Sequence, residues 1–290
     1  MATHAAVLTA CVFWAVSFIA TKAALAAVPP LSVVTLRLLV SALCFAPLLW
    51  RRRAGLLCGG PGRFGRLFLL SLAGTGLHYG VQTVGLQYTS ASNASLWAMT
   101  CPLGITLIAA LFLGERLTAR KAAGLALALA GVLVVLGPDA LSSGVRAQLL
   151  GDGLVFLSIF MWAVFTVYGK KLNAELGALE LAGASTILGA LTMLPLGLWE
   201  ASARGFSPAA VPASAWWAIL FLGAGCGFLS TLLYFVALER TESQKVGVYL
   251  YTIPPMTYLA AALLLGERVG PALLAGSALV AAGVYITERG

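Results

Sequence analysis

Residues 102–116, PLGITLIAALFLGER, and residues 254–268, PPMTYLAAALLLGER, are one apolar pattern written twice, 152 residues apart. Each opens on proline and closes on Leu-Gly-Glu-Arg, at Leu113-Gly114-Glu115-Arg116 and Leu265-Gly266-Glu267-Arg268. Gly124 and Gly131 return at the same spacing as Gly276 and Gly283. Nearer each presumed start, Trp14-Ala15-Val16 followed by Lys22 returns 148 residues later as Trp162-Ala163-Val164 followed by Lys170. A short loop insertion accounts for the change in spacing. Long internal repeats in a strongly apolar chain point to a transporter assembled from two halves.

Composition agrees. The chain is 60% hydrophobic and only 10% charged, with a mean hydropathy of +0.96. A soluble surface needs about a quarter of the residues charged, so this is a membrane protein. Crossing a hydrocarbon core takes runs of about 20 apolar residues. Ten such runs are expected, at roughly 5–26, 30–50, 66–87, 91–113, 119–137, 152–170, 179–199, 215–238, 245–265 and 270–287. Five helices per half is an odd number, so the second half enters the membrane from the opposite side. The expected fold is all-α, with ten transmembrane helices as two inverted-topology five-helix repeats. The repeats fall at 1–137 and 152–290, joined by a Gly-, Pro- and Ser-rich connecting loop at 138–151.

The formal charge of +8 is a topology signal, and no nucleic-acid partner is expected. With the N-terminus inside, Arg51, Arg52, Arg53, Arg63, Arg66, Arg116, Arg120, Lys121, Lys170, Lys171, Arg240, Lys245 and Arg289 all face the cytoplasm. Only Arg146, Arg204 and Arg268 face outward. Positive-inside asymmetry thus predicts both termini in the cytoplasm. The five cysteines (Cys11, Cys44, Cys58, Cys101 and Cys226) lack CxxC spacing, so neither a disulfide framework nor a metal site is indicated. The first run lacks a basic leading segment and its repeat partner is internal, so it reads as a retained helix rather than a signal peptide. Leu113-Gly114-Glu115-Arg116-Leu117-Thr118 reads as helix stop, turn and restart, with Thr118 as the next cap. Glu115 and Glu267 then brace the turn. The paired glycines Gly124/Gly131 and Gly276/Gly283 read as close helix packing, or as a dimer contact of the fifth helix.

The Trp14…Phe18 pair with Lys22, Arg37 of the second run, Leu86-Gln87-Tyr88-Thr89-Ser90-Ala91 and the twice-occurring Pro…Leu-Gly-Glu-Arg resemble the drug/metabolite transporter superfamily, EamA type. Within it the chain is similar to the YddG-like bacterial inner-membrane exporters of amino acids, particularly aromatic ones. The resemblance covers essentially the whole chain. It implies a central cavity between the halves, alternating access, and export of aromatic or neutral amino acids and related metabolites. Export of drugs, purines or other metabolites is the alternative within the same superfamily. The implied partners are a small-molecule substrate and the lipid bilayer, with the chain a monomer or homodimer. No cofactor is implied.

A polar residue in mid-span is costly unless it faces the protein interior or a wet cavity. His78 and Gln82 share a helix face, with Tyr79 beside them and Thr75 a turn earlier; they line a cavity or clamp two helices together. Ser92, Asn93, Ser95 and Trp97 lead into Pro102, and Gly247, Tyr249 and Tyr251 lead into Pro254-Pro255. Prolines at matching places in two halves mark interrupted helices, where such carriers hold substrate; a kink serving only packing is the plainer alternative. Trp50, Trp199, Trp216 and Trp217 lie at run ends, as interfacial anchors do. Trp14, Trp97, Trp162, Tyr79, Tyr168, Tyr234 and Tyr249 lie further in, as core packing or as the walls of a site for a flat apolar solute. Lys22 and Arg37 either receive a substrate carboxylate or snorkel toward the interface. No carboxylate falls in mid-span, and His78 is the central group that titrates near neutrality, so coupling stays open. Neither HExxH nor GxSxG is present, and Gly183-Ala184-Ser185 only faintly resembles an intramembrane nucleophile site. No enzyme is expected.

Overall fold

In this computed structural model of the chain, residues 2–51, 60–112, 118–136, 145–240, 246, 249–266 and 270–289 are described. Among them the secondary structure is helical, with no strand. Helices α1 (Ala2–Leu25) and α2 (Pro30–Trp50) are followed by α3, which has three joined pieces: Gly60–Ser71, a π-helical stretch Leu72–Leu77, and His78–Gly85. Helix α4 is broken into Ala91–Ala98 and Cys101–Phe112, and α5 spans Ala119–Leu136. Then come α6 (Val145–Leu176) and α7 (Ala178–Ala203). Helix α8 again has three pieces: Ala213–Leu220, π-helical Phe221–Ser230, and Thr231–Arg240. A 3₁₀ turn, Leu250–Thr252, leads into α9 (Ile253–Leu265), and α10 is Pro271–Glu288.

Among the described residues, five helices are long and apolar enough to cross a membrane: His4–Leu25, Pro30–Trp50, Gln148–Leu176, Ala178–Ala203 and Ala213–Arg240. Ile253–Leu265 and Pro271–Gly283 are shorter apolar helices. Large apolar side chains cover the outside; Leu43 and Leu263 are 73% and 75% exposed, a surface that only hydrocarbon solvates well. The chain is a multi-pass membrane protein. Trp50, Trp199 and Trp217 stand exposed near helix ends, as anchors would, whereas Trp216 is half-buried.

Helix ends follow local chemistry. Pro29 and Pro30 start α2, where a missing N–H costs nothing. The Ser32 N–H at that end donates to Glu200 of α7 at 2.9 Å. The Ala178 N–H at the start of α7 donates to Glu239 of α8. A carboxylate thus meets the positive end of each helix dipole. Thr118 caps α5 by accepting the Lys121 N–H at 3.2 Å, and Gly266 ends α9 with a left-handed φ of 66°. Both agree with the stop–turn–restart reading; residues 113–117 and 267–269, and so Glu115 and Glu267, lie outside the described residues. So do Cys58 and Gly247.

Packing is reciprocal between the halves. Helix α2 lies on α7, and α5 on α10. Helix α3 packs on α6 as α1 does on α8, and α4 on α6 as α1 does on α9. The repeated glycines make the α5–α10 contact: a Cβ on Gly131 would stand 2.6 Å from the Gly276 carbonyl oxygen, and one on Gly283 2.5 Å from that of Gly124. Of the two readings of these residues, helix packing within the chain is what they do.

One boundary differs from expectation. Helix α6 begins at Val145, so residues 145–151, assigned from sequence to the connecting loop, are helical. Asp152 is therefore two turns inside a long helix and buried, with the Thr89 hydroxyl donating to its carboxylate. It lies one turn from the end of the apolar span Gln148–Leu176, outside mid-span. Its flanking glycines signalled a loop, yet Gly151 is needed for close approach: a Cβ there would meet the Gly85 carbonyl oxygen of α3 at 2.8 Å.

Candidate functional site

A cavity of about 60 Å³ lies where α1, α2, α3, α4 and α6 converge with the turn before α9. It is lined by Trp14, Ser17, Phe18, Arg37, His78, Tyr79, Gln82, Ala98, Cys101, Ile159, Trp162, Leu250 and Ile253. Each polar member is positioned by a local device. The π-helical stretch of α3 ends immediately before His78, and its wider turn resets which face of the helix carries His78, Tyr79 and Gln82. Gly74 inside that stretch lets α6 come close, since a Cβ there would overlap the Phe165 ring.

His78 is buried, and its Nδ1–H donates to the Ser158 carbonyl oxygen at 2.7 Å. Nε2 remains as an acceptor on a ring that lines the cavity. The ring lies 4.7 Å from Tyr79 and 5.3 Å from Trp162, between centroids.

Arg37 is 2% exposed. Its guanidinium carbon sits 4.1 Å above the centre of the Tyr79 ring, a cation–π contact. Among the described residues no carboxylate and no hydrogen-bond acceptor pairs with it. A charge buried without a partner is expensive, by several kcal/mol even after relaxation. Five guanidinium N–H donors thus stand beside the cavity with a ring face as their main compensation.

The aromatic walls come from the repeat itself. Trp14 and Trp162, the tryptophans of the two Trp-Ala-Val motifs, meet edge to face with centroids 5.7 Å apart. Tyr234 of α8 is fully buried behind them, 5.2 Å from Trp14 and 5.8 Å from Trp162.

Of the residues singled out from sequence, Trp14, Arg37, His78, Tyr79, Gln82 and Trp162 are brought together around this cavity. Tyr234 supports its walls. Trp97 instead lines an adjoining apolar chamber and packs edge-on against Phe156 at 5.3 Å. Asn93 and Ser95 do not reach the cavity. The Asn93 N–H donates to Ser90 Oγ as a helix cap at 3.0 Å, and Ser95 Oγ donates to the Ser92 carbonyl at 2.8 Å. Tyr249 also lies outside the lining, its hydroxyl bonded to His4. Lys22 is half-buried in the last turn of α1, away from the cavity.

The prolines do mark interrupted helices. Helix α4 breaks at Met99–Thr100 and restarts with Pro102 in its first turn; α9 starts with Pro254 and Pro255 after the 3₁₀ turn. The breaks are closed alike: Thr100 Oγ1 donates to the Trp97 carbonyl at 2.6 Å, and Thr252 Oγ1 to the Tyr249 carbonyl at 2.7 Å. Sequence reasoning missed Ser17, Phe18, Cys101, Ile159, Leu250 and Ile253. Ser17 lay one turn from Trp14 and was within reach of a face argument; the others carry no chemical signal of their own.

The family model described as the EamA-like transporter family matches residues 1–137 and 149–289. An uncharacterized transporter of Archaeoglobus fulgidus is 31% identical over 288 residues, 98% of this chain and 96% of its own length. A protein of Streptantibioticus cattleyicolor described as a "probable terminal-alkyne amino-acid exporter" is 32% identical over 208 residues, covering 71% of this chain and 66% of that one. A "probable amino-acid metabolite efflux pump" of Salmonella typhimurium is 27% identical over 289 residues, covering 96% and 92%. A solved crystal structure matches 98% of this chain and 95% of its own with a TM-score of 0.70, at 22% identity, which is a likeness of fold.

Proposed function

We propose, from the premise that this chain belongs to the EamA-like transporter family, that it exports amino acids across the bacterial inner membrane. That it is a membrane transporter follows from the family and from its long apolar helices. The substrate class rests on one observation: Arg37, buried at the cavity wall and lacking an anionic partner among the described residues. A substrate carboxylate supplies the missing charge with bidentate hydrogen bonds. His78 Nε2 would accept from the substrate ammonium, and the Trp14–Trp162 pair offers faces for a neutral or aromatic side chain. Two relatives, described as a "probable terminal-alkyne amino-acid exporter" and a "probable amino-acid metabolite efflux pump", support the same class.

The architecture we propose is ten crossings in two inverted five-helix repeats, residues 1–137 and 152–290, with cytoplasmic termini and alternating access through the shared cavity. Support comes from the reciprocal packing of the halves, the meeting of Trp14 with Trp162, and the matched breaks before Pro102 and Pro254. Those breaks are the points at which we expect the cavity to open and close.

The test is uptake of phenylalanine, threonine, a purine and a cationic dye into proteoliposomes, with and without a pH gradient. Saturable amino-acid uptake is expected, with Arg37→Gln weakening it about 10- to 100-fold, the worth of a charge-assisted hydrogen bond. Uptake of dye or purine alone, unaffected by Arg37→Gln, would overturn the substrate class and leave the family intact.

A further inference from the structure

The spacing of the two repeats pairs four residues that the cavity at Arg37 does not use. At 148 residues His4 of α1 corresponds to Asp152 of α6, and at 152 residues Trp97 of α4 corresponds to Tyr249 ahead of α9. The fold joins each member of one pair to a member of the other. His4 Nδ1 is hydrogen-bonded to the Tyr249 hydroxyl, with the ring centroids 5.8 Å apart. The Asp152 carboxylate accepts from the Thr89 hydroxyl, and the Trp97 indole N–H makes a second hydrogen-bonding interaction with it. Both contacts sit at a helix break. The Trp97 and Tyr249 carbonyls accept the threonine hydroxyls that close the two interruptions, and proline follows five residues after each. Just past the breaks the chain reaches the Arg37 cavity, at Cys101 in one half and at Leu250 and Ile253 in the other. The halves do not share residue types here. They share a hydrogen bond between an aromatic side chain at the break and a polar group early in the other half's leading helix.

We infer that these two contacts are the gate latches of the carrier, His4–Tyr249 closing the cytoplasmic mouth and Asp152–Trp97 the outer one. The inference rests on the proposed alternating access with cytoplasmic termini, which puts the start of α1 inside and the start of α6 outside. Helix α1 packs on α9 and α6 on α4, so each latch spans a seam between the halves that must part for its mouth to open. Both are closed in this structure. One such contact would serve packing alone; two at matching places, each pinning the break beside the cavity, give two separate locks. The locks differ in strength. His4 is exposed, so water competes for its bond. Asp152 is 2% exposed and holds two donors out of water, where hydrogen bonds are stronger. The inner mouth therefore opens more readily than the outer, as loading from the cytoplasm requires.

The experiment reads the rate at which a membrane-impermeant sulfonated maleimide labels Cys101, which lines the cavity, in protein whose Cys11, Cys44, Cys58 and Cys226 are replaced by serine. Proteoliposomes of known orientation expose one face or the other to the reagent. Tyr249→Phe deletes the hydroxyl and keeps the ring. It should speed labelling from the cytoplasmic face about fivefold, the worth of one hydrogen bond, and leave the outer face unchanged or slower. Trp97→Phe should act in the same way from the outer face only; should it fail to fold, Asp152→Asn, which keeps the shape of the side chain, takes its place. His4→Ala added to Tyr249→Phe should give no further effect, because both remove one bond. Acceleration from both faces by one variant, acceleration from neither, or additive effects within the pair would overturn the latches. Acceleration on swapped faces would support them and reverse the assigned topology. Saturable amino-acid uptake is measured in the same proteoliposomes. Its absence in the wild type would remove the transport reading and this inference together, whereas intact uptake with unshifted labelling would remove the latches alone.

Discussion

His78 shows how one hydrogen bond can assign a role. The Ser158 carbonyl accepts only, so Nδ1 carries a proton, and a ring without a second proton presents Nε2 as an acceptor. His78→Phe keeps a ring among Tyr79 and Trp162 but deletes both nitrogens. One hydrogen bond is worth about 1 kcal/mol, so the melting temperature should move only a few degrees. Transport should suffer more, with a raised KM for amino acids and a smaller change for substrates that lack an ammonium group. Equal losses for both substrate kinds would make His78 a packing residue. Arg37 and Lys22 show the opposite lesson. From sequence they were equivalent basic residues near helix ends. The structure separates them, because Arg37 lies on the face of α2 turned toward Tyr79, and Lys22 sits in the last turn of α1, away from the cavity.

Among the elements, α5 and α10 carry a contact made of backbone on backbone. A side chain at Gly131 would collide with the Gly276 carbonyl and the Val280 N–H, neither of which can swing aside. Gly131→Ala should therefore destabilise the protein by about 1–3 kcal/mol, the usual cost of overpacking. Gly153→Ala, on α6 with nothing within 4 Å of the added methyl, should be neutral or slightly stabilising, since helix propensity favours Ala over Gly by about 1 kcal/mol. Thermal unfolding in detergent checks both; equal melting temperatures would remove the contact from the account. These glycines, and much of the polar stripe on α3, were legible from spacing alone. The start of α6 was not. Gly151-Asp152-Gly153 looks like a turn until α3 is laid against it, and only then does Gly151 have a backbone to clear. The apolar chamber was equally hidden, because leucines and phenylalanines facing a void and those facing a neighbour are the same letters in the chain.

At the scale of the whole molecule, each half makes its main contacts with the other half: α2 on α7, α5 on α10, α3 on α6 and α1 on α8. Among the described residues neither half has a separate core, and the principal cluster draws on both, from Val7 and Phe45 to Phe235 and Ile253. The buried Arg37 then bears on the transport cycle itself. A carrier that reorients with its cavity empty moves the guanidinium with a ring face as its main compensation, whereas in a carrier loaded as proposed the guanidinium is paired with the substrate carboxylate and the substrate ammonium is held at His78. The return of the unloaded protein should be the slow step. Efflux of labelled amino acid from proteoliposomes should therefore accelerate when unlabelled amino acid is supplied on the far side, and Arg37→Gln should abolish that acceleration. On this account the protein favours swapping one substrate for another over net release, because one buried side chain with no anionic partner among the described residues slows the empty return.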